Sequence, residues 1–237
     1  MLEEIAFHTK EEVAENTFLY TFSKPQGYVF QAGQYATLRF HKKTPHQDDR
    51  GNARCFSFAS APYEETLSFM MRQSESGFKK NMFDAKKGER MQITSAQGRG
   101  TFEVFKKGKQ LVMICAGVGV TPMRSILRQS VYEKSNFPLV LINSNRNKRS
   151  TPELEWLEGL SQRFQNIQVI NTLTDNDDEA WQGSTKRIDD VMIRSLVSDT
   201  PQTFYFVAAG ISFVQAIEKI LFLQGISKER IYFDSFG

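Results

Sequence analysis

The front half of the chain alternates apolar and polar residues with a period of two: Phe18, Tyr20 and Phe22, then Ala36, Leu38 and Phe40, then Leu67, Phe69 and Met71. That period predicts half-buried antiparallel strands. Gly27, Gly33 and the polar stretch 41–52 punctuate them, and several short strands so interrupted predict a small barrel. One helix is expected within it at about 78–85, closed by Lys86, Lys87 and Gly88. Beyond Thr101 the period changes. Apolar runs at 111–115, 138–143, 167–172, 203–208 and 231–233 alternate with helical patterns at 122–134, 153–164, 188–197 and 212–223. Strands separated by helices predict a parallel, doubly wound sheet with ligands at the C-terminal ends of its strands. The fold class expected is therefore two domains, an all-β antiparallel barrel over 1–105 followed by an α/β doubly wound parallel-sheet domain over 106–237. Lys106 to Lys109 reads as the joint, and the cleft between the two is the natural place for chemistry.

The chain is organised around LVMICAGVGVTPMRSILRQ, residues 111–129. Its first five residues have no polar member, which suits a strand covered on both faces. Gly117 and Gly119 let the backbone turn tightly and approach a ligand. Thr121 is expected as the N-cap of the next helix and Pro122 as its first residue. A helix starting beside open glycine backbone offers unpaired N–H groups and a positive dipole end, commonly to a phosphate. Pro122 stands where the dinucleotide fingerprint has its third glycine, so an ordinary strand–helix connection with incidental glycines is an equal reading of this stretch.

Composition narrows the chemistry. A hydrophobic fraction of 40% and a charged fraction of 24% are ordinary for a folded protein. The acidic N-terminus MLEEIAFHTKEE argues against a secretory signal, and no apolar run approaches ~18 residues, so a cytoplasmic enzyme without a membrane span is expected. Cys55 and Cys115 each lie in an apolar strand and read as small buried hydrophobes. The three histidines lack metal-ligand spacing, and no GxSxG motif appears, so no metal site and no hydrolase are expected. The formal charge is only +3, but Lys79, Lys80, Lys86, Lys87 and Arg90 cluster, as do Lys106, Lys107 and Lys109. Such runs are solvated faces or a means of steering an acidic partner protein, and with no basic stretch rich in aromatics they do not point to nucleic acid.

Residues 54–60, RCFSFAS, set a cation, aromatic rings and hydroxyls on one barrel strand. Alternation puts Arg54, Phe56 and Phe58 on one face and Cys55, Ser57 and Ala59 on the other. Arg54 can grip a phosphate and Phe56 can face a planar ring, but a barrel strand with two core phenylalanines and a capping arginine is the favoured reading of this stretch alone. Together, Arg-x-Phe-Ser-x-x-Ser and the later Gly-Val-Gly-Val-Thr-Pro resemble the ferredoxin-NADP reductase family. Gly33-Gln34-Tyr35, Lys87-Gly88-Glu89 and the closing Asp234-Ser235-Phe236-Gly237 match it as well, so the resemblance runs over nearly the whole chain.

The resemblance implies a flavin-binding barrel carrying FAD and a domain for NADPH, with NADH the alternative. Arg54 would hold flavin phosphate, Phe56 would pack on the isoalloxazine, and Ser57 would hydrogen-bond near flavin N5. Phe58, Ser60 and Arg72 would complete the flavin site, and Phe236 would lie near the flavin's other face; Ser57 and Phe236 are the catalytic candidates. Gly117, Gly119, Thr121 and Pro122 would meet the nucleotide. Three departures matter. Phe56 replaces the usual tyrosine, a change familiar from reductases that treat flavin as a diffusing substrate. In SGFKKN, which resembles the pyrophosphate-facing helix start and contributes Gly77, Lys80 and Asn81, Lys80 stands where a hydroxyl residue is expected. Ala209 replaces a family glycine in VAAGISF, where its methyl would hinder nicotinamide docking. Arg146 and Arg149 follow the second parallel strand and suit a 2′-phosphate, which leans toward NADPH. A solvated loop is an equal reading of these two.

The expected function is a flavin-dependent NAD(P)H oxidoreductase passing electrons to ferredoxin, another redox protein or a small molecule. A flavin reductase using free flavin, and a flavin-binding subunit or sensor with low turnover, are the alternatives.

Overall fold

The computed structural model describes residues 2–41, 44–175, 178–197 and 199–236. Gly237, the last residue of the closing motif, and Lys42 and Lys43 of the 41–52 stretch lie outside the described residues. The first half contains β1 (Leu2–Ala14), β2 (Thr17–Ser23), β3 (Tyr35–Phe40), β4 (Ala53–Ser57), β5 (Thr66–Arg72), α1 (Gly77–Asp84), β6 (Arg90–Thr94) and α2 (Phe102–Phe105). Its strands form an antiparallel sheet in the order β4-β3-β6-β1-β2-β5. The ends meet where Phe58 bridges Phe69 and Ala59 N–H donates to the Ser68 carbonyl at 2.7 Å, closing a barrel. Tyr20, Phe22, Leu38, Phe40, Leu67 and Phe69 fill it, as the two-residue period predicts. Pattern reading misses β1, because only Ile5 and Phe7 of its 13 residues are buried. β5 is buried on both faces: Phe69 and Met71 face the barrel, while Met70 faces the neighbouring domain.

The second half contains β7 (Gln110–Ala116), α3 (Val120–Tyr132), β8 (Leu139–Asn145), α4 (Leu154–Arg163), β9 (Ile167–Leu173), α5 (Asp190–Leu196), β10 (Thr203–Gly210), α6 (Ile211–Leu223) and β11 (Ile231–Phe236). The strands are parallel in the order β11-β10-β7-β8-β9. Leu111, Met113 and Cys115 of β7 pack toward α3 and α4, and Val112 and Ile114 toward α5 and α6. Cover on both faces is why this strand reads as an unbroken apolar run. Phe102 and Phe105 of α2, which the sequence division assigns to the barrel, join the core under α3. None of the helices among the described residues is long and apolar enough to cross a membrane.

α3 does not start as its sequence suggests. A 3₁₀ turn at Gly117–Gly119 runs directly into it, so Gly119 is the N-cap. Thr121 lies inside the first turn, its hydroxyl donating to the Val118 carbonyl at 2.5 Å. Pro122 falls one residue later, still among the positions whose N–H has no intrahelical partner. A Cβ at Gly119 would stand 1.8 Å from the Ala208 carbonyl oxygen of β10. This glycine thus serves a close approach to β10. Gly119→Ala is expected to destabilise the fold by on the order of 1–3 kcal/mol, lowering Tm in a thermal melt at roughly 2–4 °C per kcal/mol for a chain of this size. An unchanged Tm would show that the turn and β10 separate freely.

Candidate functional site

The sheet order reverses at β7: β8 leads away on one side and β10 on the other. Crevices form at such a switch point, beyond the carboxyl ends of the strands. Here the turn at Gly117–Gly119 borders it, held by a buried amide ladder. Cys115 Sγ donates to Asn143 Oδ1, Asn143 Nδ2 to Asn171 Oδ1, and Asn145 Nδ2 to Asn143 Oδ1. Asn145 Oδ1 then accepts the Gly117 N–H at 3.1 Å. Gly117 has φ +55°, and a Cβ there would meet nothing. Cys115 is fully buried, as its sequence setting implies, and burial pushes its thiol up.

α3 carries the barrel onto this edge. Arg124 Nη1 donates to the Ala59 carbonyl at 2.6 Å and Ser125 Oγ to the Ser60 carbonyl at 2.6 Å, both buried. Arg124 also pairs with Glu153 at 2.7 Å, and Arg128 with Glu64 at 2.8 Å. The strand bearing the RCFSFAS motif is thereby fixed against the glycine turn. Between them lies a cleft of about 810 Å³ lined from both domains, by β4, the end of β5, Val118, Thr121 and the last residues of β11.

Of the residues expected from sequence, Arg54, Phe56, Ser57, Arg72, Thr121 and Phe236 line this cleft together. Ser57 Oγ donates to Asp234 Oδ2 at 2.7 Å, joining β4 to β11 across 177 residues of chain. Burial holds the Asp234 carboxyl above the usual aspartate range despite that hydrogen bond. Sequence reasoning matched Asp234 within the closing motif but gave it no role. Tyr35, Thr37, Arg50, Lys79 and Cys55 also line the cleft unannounced. Cys55 is exposed rather than buried, its Sγ 3.2 Å from Thr37 Oγ1; its side of β4 faces the cleft and not the barrel core.

The other expected residues lie elsewhere. Phe58 is fully buried in the barrel, stacked on Phe30 with centroids 4.1 Å apart. Ser60 is fully buried too, its Oγ accepting from Ser68 N–H at 3.0 Å. Lys80 pairs with Glu75 at 2.6 Å, and it is Lys79, one residue earlier on α1, that faces the cleft. Asn81 is buried and turned toward the 44–48 segment: Nδ2 donates to Thr44 Oγ1 and the His46 carbonyl, and Oδ1 accepts from His46 N–H. The Ala209 methyl packs in the core beneath α6, so it obstructs no docking face. Arg146 and Arg149 are exposed on the loop after β8, where Arg146 receives the Asp175 N–H on its carbonyl and Arg149 the Glu15 N–H.

Charge in the cleft is one-sided. Arg50, Arg54, Arg72 and Lys79 gather at the barrel end, and burial, then Arg50, Arg72 and Arg54, depress the Lys79 pKa. Arg54 is 8% exposed; Nη1 donates to the carbonyls of Arg50, Gly51 and Ala53, and Nη2 to Asp48 at 2.5 Å. Hydrogen bonding from Arg54 chiefly, then from the Gly77 and Arg50 N–H groups, brings the Asp48 carboxyl down to about 2. Such an arrangement suits a long ligand with an anionic segment at the Arg72 and Lys79 end and a planar, hydrogen-bonding segment beside Phe56, Ser57 and Phe236.

Residues 113–219 match the family model described as an oxidoreductase NAD-binding domain. The ferredoxin–NAD(P)(+) reductase CarAd of Metapseudomonas resinovorans is 25% identical over 78% of this chain, and the glycine betaine monooxygenase reductase subunit of Chromohalobacter salexigens 22% over 93%. The chain spans 56% and 60% of those two relatives' lengths. Among solved structures, a ferredoxin NADP+ reductase from Neisseria gonorrhoeae with bound FAD and NADP superposes with a TM-score of 0.80 at 22% identity, covering 99% of this chain and 98% of that one.

The raised Asp234 pKa carries a sign. A carboxyl whose folded pKa exceeds its unfolded one imposes no cost while protonated and destabilises the fold as pH rises through the folded value. Asp234→Asn retains an acceptor for Ser57 and removes that charge. Thermal melts of the ligand-free protein are expected to show the variant more stable than wild type at pH 7, the gain vanishing below about pH 4. A gain independent of pH would contradict the assignment.

Proposed function

We propose that the chain is a member of the ferredoxin-NADP reductase-like family and an NAD(P)H-dependent flavin oxidoreductase whose cleft between barrel and sheet holds FAD and receives the nicotinamide. The single observation that carries this reading is the cleft itself, where cations, aromatic rings and the Ser57–Asp234 pair converge from both domains. Its volume of about 810 Å³ falls in the range of cofactor pockets. Bound flavin supplies the capacity to accept a hydride and release electrons singly or in pairs. Arg72 and Lys79, with Arg54 behind them, would hold the diphosphate, and Phe56 and Phe236 would offer their rings to the flavin. Ser57, its hydroxyl donating to Asp234, would stand beside the flavin's redox edge. Asp234, held protonated more readily than an ordinary aspartate, would supply or withdraw a proton through that hydroxyl.

Thr121 and the backbone of the Gly117–Gly119 turn ahead of α3 would orient the nicotinamide nucleotide, the Gly117 N–H itself being held by Asn145 Oδ1. Close packing of barrel on sheet keeps water from the transfer. Arg146 and Arg149 grip a 2′-phosphate, which makes NADPH the preferred donor. The acceptor is a separate redox protein such as a ferredoxin, drawn by the basic clusters of the barrel, and we place the protein in the cytoplasm and its domain boundary ahead of α2, whose Phe102 and Phe105 pack in the core under α3. Use of flavin as a diffusing substrate is the second reading, favoured by Phe56, which lacks a hydroxyl to tie the flavin down. With the Ala209 methyl buried in the core, the steric reason for a low-turnover sensor is removed.

Anaerobic mixing of the FAD-loaded protein with NADPH is expected to bleach the flavin, faster than with NADH. The double substitution Arg146→Ala, Arg149→Ala is expected to raise KM for NADPH and leave that for NADH unchanged. Flavin that stays oxidised with both nucleotides would overturn the reading. Arg72→Ala and Arg54→Ala are each expected to weaken FAD binding roughly tenfold or more, as loss of a charge-assisted contact does, without weakening riboflavin, which has no phosphate. Equal losses for both flavins in fluorescence titrations would remove the two arginines from the diphosphate site.

A further inference from the structure

The cation cluster of the cleft already meets one anion, and the chain supplies it. Asp48 Oδ1 accepts from Arg54 Nη2 at 2.5 Å and from its neighbour Arg50 N–H at 3.0 Å. Its Oδ2 accepts from Gly77 N–H at 2.7 Å, at the start of α1, and from Ser76 Oγ at 3.2 Å. A guanidinium N–H, a hydroxyl and a backbone N–H at a helix start are the donors that a phosphate group takes. The segment bringing Asp48 there is anchored, since Asn81 grips Thr44 and His46 by three hydrogen bonds. It also presses on the helix start: a Cβ at Gly77 would lie 2.9 Å from the Gln47 carbonyl carbon. One carboxylate does not neutralise the cluster, however. Arg72 and Lys79 line the same end of the cleft and form no ion pair among the described residues. The cluster thus has charge left over for a larger anion, while Asp48 holds its best-placed donors.

We propose that Asp48 is an internal competitor for the flavin's diphosphate and so sets which flavin this cleft prefers. The inference rests on the reading of the cleft as a flavin site. A flavin that ends at the ribityl chain enters without disturbing Asp48. A diphosphate that engages Arg54 or the Gly77 N–H displaces the carboxylate and moves the 44–52 segment aside. FAD binding therefore loses part of what the cation cluster offers, and riboflavin binding loses nothing.

Fluorescence titration of FAD and riboflavin against wild type and Asp48→Asn tests this. Asparagine keeps the shape and an acceptor for Gly77 N–H but drops the charge. FAD is expected to bind the variant roughly tenfold or more tightly than wild type, with riboflavin unchanged. FAD affinity that is unchanged or weaker, or an equal gain for both flavins, overturns the proposal and leaves the flavin site standing. Failure of either flavin to bind either protein removes the flavin site and the proposal together. Hydrogen exchange on the wild-type protein gives a readout that needs no variant. Exchange across 44–52 is expected to rise when FAD binds and to stay constant with riboflavin; constant or reduced exchange with FAD contradicts displacement.

Discussion

The hydrogen bonds from Arg124 to the Ala59 carbonyl and from Ser125 to the Ser60 carbonyl join the two halves of the molecule at the point where its chemistry is concentrated. The carbonyls continue the strand that carries Arg54, Phe56 and Ser57, and the donors sit one turn along the helix that begins at Gly117–Gly119. A single rigid helix therefore sets the distance between the barrel's cleft-lining strand and the switch point of the sheet. Arg124 is buried and charged, and Glu153 answers it. Loss of one partner would leave a buried charge alone, at a cost of about 3–5 kcal/mol. Glu153 itself adopts a left-handed backbone conformation, φ +53°, and its N–H reaches back to the Val13 carbonyl of the barrel. Local strain is thus tolerated where it secures the seam.

The cleft created by this docking is electrically polarised. Its barrel end is a concentration of arginine and lysine, and its sheet end holds one half-buried carboxyl on a serine. The two ends suit different tasks: fixed positive charge can hold an anionic tail, while a carboxyl with an elevated pKa beside a hydroxyl can exchange protons without carrying a full charge toward a ring. Asp48 belongs to the first end but opposes it. Its depressed pKa keeps it ionised throughout the physiological range, so it is a permanent feature of the anion site and not a switch thrown by pH.

Much of this architecture was legible because burial follows period. Tyr20 and Phe22, or Leu38 and Phe40, alternate into the barrel, while Leu111 to Cys115 has no polar member because helices cover both faces of β7. β1 was hidden because solvent reaches most of its length, and two buried residues make no period. Thr121-Pro122 reads as a cap, yet the preceding glycines continue the helix backward through a 3₁₀ turn. Lys80 was favoured over Lys79 because the resemblance aligns motifs and not helix phase. The pairing of Ser57 with Asp234, and of Asp48 with Arg54, had no local signal. The first spans the chain, and the second depends on how an irregular polar segment folds over a helix end.

A crystal structure of the FAD complex would test most directly the claim that α3 presets a seam for the flavin. The account predicts the isoalloxazine beside Ser57 and Asp234, with the Arg124–Ala59 and Ser125–Ser60 hydrogen bonds unchanged. A flavin bound outside the seam, or one reached only after those two bonds break and the domains separate, would contradict it.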